Sequence, residues 1–282
     1  MTKMAIIMAS VIHNVEQHKS TVRGIEAMTL VSSHHFPRHS HDQFGVGVIA
    51  FGAQRSWSGV GQVSASAGDV IMANPGEMHD GAPLGGHARG WRMIYLDPHL
   101  VAREVEEEIV GPVELVRPVA RDEILARRFA QLFACLTASR TECLATEENL
   151  LCCLIHIIQK HGMIVPKDGT ARASCNSRSP CVAKALQCLD SAPDTPVSLA
   201  ALAALSGVSR FQLLRRFARE IGITPHAYLV QRRVRVARQL LSHGISPAQA
   251  ALQAGFADQS HMTRAFVRQI GITPARYRAA FS

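Results

Sequence analysis

The sequence predicts an α+β chain of two domains: an N-terminal β-barrel with a helical hairpin, then an all-α domain with two helix-turn-helix units. Three observations predict it. The phrase Phe217-Ala218-Arg219-Glu220-Ile221-Gly222-Ile223-Thr224-Pro225 returns 49 residues later as Phe266-Val267-Arg268-Gln269-Ile270-Gly271-Ile272-Thr273-Pro274, and a tyrosine, Tyr228 or Tyr277, stands three residues past each proline. A repeat of this length marks two copies of one supersecondary unit. Near Asp97 the apolar period changes from short, glycine-punctuated runs to helical spacing. The net charge of +8 lies wholly in the last hundred residues, where 13 Lys/Arg face 4 Asp/Glu.

A chain of 282 residues exceeds one ordinary core, so two domains are expected. Apolar content of 47% against 18% charged residues describes a folded globular protein rather than a disordered one. No apolar run approaches the ~20 residues that a membrane helix needs. The stretch Ala5 to Ala9 is too short for a signal core, and no small-residue cleavage site follows it before His13, so a cytoplasmic chain without a membrane partner is expected. The 7 cysteines are odd in number, form no CxxC pair and all fall between Cys135 and Cys188. They read as reduced, mostly buried thiols; redox sensing by Cys175, Cys181 and Cys188 has no charge support in the sequence.

Residues 21–97 read as short strands. Phe44, Val46 and Val48 alternate along one of them, and glycines recur from Gly45 to Gly90, as in a sandwich or barrel. A helix is expected from Pro98 to Val110, with Glu104, Glu106, Glu107 and Glu108 on its wet side. Asp122–Ala138 carries Ile124, Leu125, Phe129, Leu132 and Leu136 at helical spacing, and Glu147–His161 carries Leu150, Leu151, Leu154, Ile155 and Ile158. These two helices read as an antiparallel hairpin. Its apolar faces exceed what one small barrel needs to cover, which leaves a dimer contact and simple packing on the barrel as its two readings. Residues 163–180 are turn formers without a period and read as a linker. The expected organisation is a β-rich domain with its helical hairpin at 1–162, the linker at 163–180, and an all-α domain at 181–282.

Beyond the linker the punctuation is that of helices. Cys181–Asp190 is the first. Ser198 caps Leu199–Ser206, Gly207 is a turn, and Ser209 caps a helix that runs through Ile221 and stops at Gly222. Pro225 opens a long helix through Ser242, which Gly244 ends. Ser246 and Pro247 start the next, Gly255 turns, Asp258 caps a helix through Ile270, Gly271 ends it and Pro274 opens the last. Each repeat is thus a short Ala/Leu-rich helix, a glycine turn and a longer polar helix, a helix-turn-helix. The turn in the second copy is longer by one residue.

In such a unit the second helix enters the major groove and its exposed N-terminal residues reach base edges. The outward positions are Arg210, Phe211, Leu214 and Arg215 in the first copy and Gln259, Ser260, Thr263 and Arg264 in the second. Arginine reads guanine bidentately, glutamine reads adenine, and Phe211 or Thr263 can touch thymine methyls. Arg210, Arg216, Arg219, Arg232, Arg233 and Arg268 are the candidates for phosphate. Twelve of the 13 cations in this domain are arginines, which suit bidentate contacts better than lysine.

The run from Ala250 through Gly255-Phe256, Phe266 and Pro274 to Tyr277 resembles the AraC/XylS transcription regulators, over Ser198–Tyr277. Phe36-Pro37-Arg38-His39-Ser40-His41-Asp42 and Asn74-Pro75-Gly76-Glu77-Met78-His79-Asp80-Gly81 resemble the cupin-type sensor barrel of the same family. The resemblance implies a regulator that takes a small effector in the barrel, forms a homodimer through helices after it, binds double-stranded promoter DNA and works with RNA polymerase. Carried over by motif position, the base-contacting residues are Phe211, Leu214, Arg215, Gln259, Ser260, Thr263 and Arg264; Leu214 stands where the family often has a polar residue. Arg38, His39, His41, Trp57, His79, Trp91 and Tyr95 are the candidates for the effector pocket. His39, His41 and His79 have the spacing of a cupin metal site, but the usual glutamate is absent, with Phe44 and Gly45 in its place and Glu77 or Asp42 as substitutes. The favoured reading is that these histidines bond an organic effector or the backbone, with no metal and no cofactor. No nucleophile–base constellation marks an enzyme. A metal-dependent cupin enzyme fused to a DNA-binding domain, and an effector-free binder whose barrel only dimerises, remain as alternatives.

Overall fold

The computed structural model describes residues 12–106, 109, 111–138, 143–164 and 178–281. Twelve strands occur among them. Those of the barrel are β1 (His13–His18), β2 (Ile25–Ser32), β3 (Phe36–His39), β4 (Phe44–Phe51), β5 (Ala53–Ser58), β6 (Gly61–Ser66), β7 (Val70–Ala73), β8 (His79–Pro83) and β9 (Arg89–Leu96). Two antiparallel sheets form: one of six strands in the order β1-β2-β9-β4-β7 and then β11 (Val119–Ala120), and one of four in the order β3-β8-β5-β6. A third pair joins β10 (Val113–Leu115) to β12 (Gly162–Ile164). The expected linker therefore begins with a strand, and residues 165–177 of it lie outside the described residues.

The large sheet has two buried faces, and the period of two sorts its side chains between them. Along β9, Trp91, Met93 and Tyr95 point into the barrel, whereas Ile94 and Leu96 join the core under the helices. Along β2, Glu26, Met28 and Leu30 point inward opposite Tyr95, Met93 and Trp91, and Ile25 and Ala27 point outward. The outer face is covered by α1 (Pro98–Val105), α2 (Glu123–Thr137) and α3 (Cys143–His161) through Val101, Leu125, Phe129, Leu132, Leu154 and Ile158. Helix α1 ends at Val105, short of the expected Val110. Asp122 caps α2 at Leu125 N, and its other oxygen accepts from His156 and His161 on α3, which pins the hairpin closed at that end.

The last domain holds α4 (Pro180–Ser191), α5 (Leu199–Leu205), α6 (Arg210–Ile221), α7 (Pro225–Ser242), α8 (Pro247–Gln253), α9 (Gln259–Ile270) and α10 (Pro274–Ala279). The repeated phrase is a stop-and-restart device, twice built alike. Gly222 and Gly271 end their helices in the left-handed region at φ 84° and 88°, which a side chain disfavours. Thr224 and Thr273 then cap the next helix by accepting from Ala227 N and Arg276 N, and Pro225 and Pro274 fill its first turn. In both copies the phenylalanine that opens the phrase meets the tyrosine after it edge-on, with centroids 5.8 Å apart for Phe217–Tyr228 and 5.4 Å for Phe266–Tyr277. Ser209 forms a full capping box with Gln212. No described helix is long and apolar enough to cross a membrane.

The hydrophobic cores do not follow the domain division. The first helix-turn-helix has its own core, with Val182, Leu202, Leu213, Phe217 and Leu229. The second shares one with the barrel interior: Val15, Met28, Leu30, Phe36 and Trp91 lie in one cluster with Val234, Leu241, Met262, Phe266 and Tyr277. The second unit is docked on the barrel mouth.

Candidate functional site

A cavity of about 120 Å³ opens inside the barrel, several times the ~10–15 Å³ that one water needs. Met28, Leu30, Phe36, Ile71, Trp91 and Met93 give it apolar walls. Gly47 makes room: a Cβ there would collide with the Met93 sulfur and the Arg92 carbonyl. Of the residues expected here, His39, His41, Trp57, His79, Trp91 and Tyr95 all line the cavity. Arg38 does not. Its guanidinium stacks on Trp57 at 3.9 Å, pairs with Asp80 at 3.5 Å and reaches toward Gly222. It braces the rim instead.

The three histidines gather at one place, with ring centroids 4.6 to 5.1 Å apart. Their ring nitrogens, one from each, lie within 4.8 Å of one another. The Nδ1–H of His39 donates to the Pro37 carbonyl at 2.7 Å and that of His79 to the Glu77 carbonyl at 3.0 Å. Burial, and then the neighbouring His79, pushes His39 down to about 3. Burial likewise holds His41 well below the usual imidazole range and lowers His79, so the cluster is neutral at pH 7. Neither substitute ligand joins it. Glu77 accepts from Asn74 N, Asn74 Nδ2 and Gly59 N, and Asp42 pairs with Arg235 and Arg232 on α7.

Sequence reading missed five residues that shape the cavity. Arg89, fully buried, donates to Gln54, to the carbonyls of Ser32, His34 and Gly81, and lies 4.7 Å over Trp91. Burial lowers its pKa to about 10, which leaves it charged. The others come from the C-terminal helical domain: Arg238 of α7, Gln269 and Ile270 at the end of α9, and Tyr277 of α10 all line the cavity. Arg238 pairs with Glu26, bonds Gln43 and donates from Nε to the Tyr277 hydroxyl at 2.9 Å; that hydroxyl donates to the other oxygen of Glu26 at 2.9 Å. Burial works against the Arg238 cation, but the Glu26 carboxylate outweighs it and holds the pKa above the ordinary value. Burial also raises Tyr277, which stays a phenol.

This junction is wide. Arg235 bonds Asp42 and Ser40, Gln231 donates to the Arg38 carbonyl at 2.8 Å, and His13 bonds the Gly271 carbonyl at 2.8 Å. Nothing local in the sequence signals these contacts, because the partners lie more than 190 residues apart.

The second helix of each helix-turn-helix unit keeps its outward face exposed. Arg210, Phe211, Leu214 and Arg215 are exposed on α6, and Phe211 is 70% exposed, unusual for an unpartnered aromatic. On α9, Gln259, Ser260 and Arg264 are exposed and Thr263 is partly so. Among the phosphate candidates, Arg210, Arg219 and Arg268 are exposed, while Arg216, also exposed, reaches the Cys181 sulfur at 3.5 Å. Arg232 and Arg233 are otherwise engaged: Arg232 pairs with Asp190 at 2.9 Å and Asp42 at 3.6 Å, and Arg233 donates to the Pro193 carbonyl at 2.7 Å. They tie α7 to the barrel and to the segment after α4.

Comparison with known proteins agrees with this architecture. Residues 22–152 match the model of an AraC-like ligand binding domain, and residues 202–280 match that of a helix-turn-helix domain. An HTH-type transcriptional regulator, YbfI of Bacillus subtilis (strain 168), is 32% identical over 231 residues, 80% of this chain and 81% of the relative. ToxT from Vibrio cholerae O395 superposes over 93% of this chain and 99% of its own, at a TM-score of 0.55 and 12% identity. Unsaturated fatty acid-bound ToxT from strain SCE256 does so over 96% and 95%, at 0.54 and 13%. With both domain models and a relative matched over 81% of its length in agreement, the chain belongs to the AraC/XylS family of transcription regulators, with a barrel for an effector and a double helix-turn-helix for DNA.

Proposed function

We propose that the effector in the barrel is sensed directly by the second helix-turn-helix unit. One observation carries this reading: α9 presents Gln259, Ser260 and Arg264 to solvent at one end and lines the cavity with Gln269 and Ile270 at the other. Its 12 residues span about 18 Å as one rigid rod. A ligand that displaces Ile270, or the Arg238–Tyr277–Glu26 network beside it, therefore shifts the reading end as well. Apolar walls with a few convergent polar groups suit a small amphipathic molecule, and the fatty acid bound by ToxT makes fatty acids the first class to try. The base contacts are those of α6 and α9 named above, with Arg210, Arg216, Arg219 and Arg268 on phosphates. The dimer forms through α2 and α3, and the protein acts in the cytoplasm beside RNA polymerase.

The test begins with selection of bound genomic fragments to obtain an operator, and a thermal-shift screen of fatty acids to obtain a ligand. Operator affinity with and without that ligand is then compared for the native chain and Ile270→Ala. Retained operator binding with a several-fold smaller ligand response is expected. A response of the same size in the variant would sink the reading.

A further inference from the structure

We propose that Arg89 and Ser56, on either side of Gly81, seat a carboxylate in the cavity wall, so that the effector is a monocarboxylic acid with an apolar body. The inference rests on the barrel being the effector site. Arg89 is fully buried, and a buried cation is ordinarily matched by an opposite charge. Among the described residues Arg89 meets none. Its guanidinium donates from Nε to Gln54 Oε1, from Nη1 to the carbonyls of Ser32 and His34, and from Nη2 to the carbonyl of Gly81, all neutral acceptors at 3.1 to 3.2 Å. A guanidinium carries five N–H donors, so one on Nη2 is left without an acceptor there. The other charges that line the cavity have partners. Arg238 pairs with Glu26 and Asp80 with Arg38, and Glu77 accepts from Asn74 N, Asn74 Nδ2 and Gly59 N.

A glycine makes the space beside that donor. Gly81 lines the cavity. A Cβ there would stand 3.5 Å from Arg89 Nη2 and 3.9 Å from both Gln54 Oε1 and Ser56 Oγ. Without it, a small polar niche opens between β5, β8 and β9. Ser56 Oγ accepts from Gln54 Nε2 at 3.1 Å, and no bond among the described residues uses its own proton. The niche thus offers one N–H, one O–H and one unmatched positive charge.

That set is the complement of a carboxylate, which brings two oxygens and one negative charge. A phosphate group would bring three oxygens and close to a second charge. With Arg89 shut off from bulk water, a charge-assisted bond to it is stronger than the same bond in solution. Apolar surface begins where the charge ends: the rings of Trp91 and Phe36 lie 4.7 and 5.9 Å from the guanidinium carbon. A neutral ligand would fill the same walls and leave the cation unmatched.

The full-length chain is titrated by calorimetry with octanoate and with phenylbutyrate, each beside its primary amide. Acid and amide have nearly the same size and shape, so the pair isolates the charge. Binding of at least one acid about tenfold or more tighter than its amide is expected. Gly81→Ala adds only ordinary van der Waals contacts, at a φ outside the left-handed region, yet puts a methyl group where the carboxylate sits. The preference for acid should fall several-fold in Gly81→Ala and in Ser56→Ala, and thermal unfolding without ligand checks that both fold. The comparison on the native chain needs no variant. Absence of saturable binding by either acid overturns the proposal. So does an amide bound as tightly as its acid, or a preference undiminished in both variants. Operator affinity enters none of these readouts. An acid that binds selectively yet leaves operator affinity unchanged would refute sensing through α9 alone. An amide that binds as tightly as its acid and shifts operator affinity would refute the carboxylate seat alone.

Discussion

At the scale of single residues, two contacts separate reading from coupling. Arg264 is exposed on the outward face of α9, two residues before the buried Phe266. A bidentate arginine–guanine contact discriminates by about 1–3 kcal/mol. Arg264→Ala should weaken binding to the selected operator by about that amount and relax preference at one base pair. Equal loss on random DNA, in the same binding assay, would make Arg264 a phosphate contact. Tyr277 works on the other side. Its ring packs on Phe266 while its hydroxyl joins Arg238 to Glu26. Tyr277→Phe keeps the ring and leaves buried charged groups one partner short, which costs about 1–3 kcal/mol. Denaturation should show that loss in the full chain and a much smaller one in residues 178–282 alone, where Glu26 is absent. Equal losses in both would confine the role of Tyr277 to its own domain.

At the scale of elements, what was legible in the sequence was what is local. Ser198, Ser209, Ser246 and Asp258 all cap the helices that they were expected to cap, because a cap is settled within four residues. Strand β1 was not legible: His13–His18 is polar, and only pairing with β2 makes it a strand. Arg232, expected at phosphate, and Arg238, which no motif singles out, pair instead with Asp42, Asp190 and Glu26; long-range partners leave no periodic trace. Six residues that line the cavity were legible through motifs, whereas the wall supplied by α9 and α10 was not. Helix α3 keeps one element-scale question open. Leu144 and Leu151, seven residues apart and hence on one face, are 69% and 38% exposed, and Ile124 on α2 is 50% exposed. A stripe of this kind fits a helical partner. With Leu144 and Leu151 both changed to Glu, the chain should sediment as a monomer while the native chain sediments as a dimer. A native monomer at micromolar concentration would leave the hairpin as barrel packing alone.

At the scale of the whole molecule, the distribution of cores sets what a half-chain can do. The first helix-turn-helix is self-contained, but the second buries Val234, Phe266 and Tyr277 in a cluster that continues into the barrel. The charge division is sharper than the packing division, since the excess of positive charge stays with the last hundred residues. Residues 178–282 should therefore bind the operator without the barrel, with a log–log salt slope near −0.9 for each phosphate contacted. Four exposed arginines, Arg210, Arg216, Arg219 and Arg268, set a slope of roughly −3 to −4 if each meets one phosphate. The fragment should also be less stable than the full chain, because Ile270, Ile272 and Tyr277 lose part of their cover. It should not respond to the effector, since only the tail of α9 and its neighbours remain of the cavity wall. Titration with salt and ligand measures both. A folded fragment that ignores DNA would refute the assignment of α6 and α9 as reading helices, whereas one that binds DNA yet still answers the effector would place the sensing site outside the barrel.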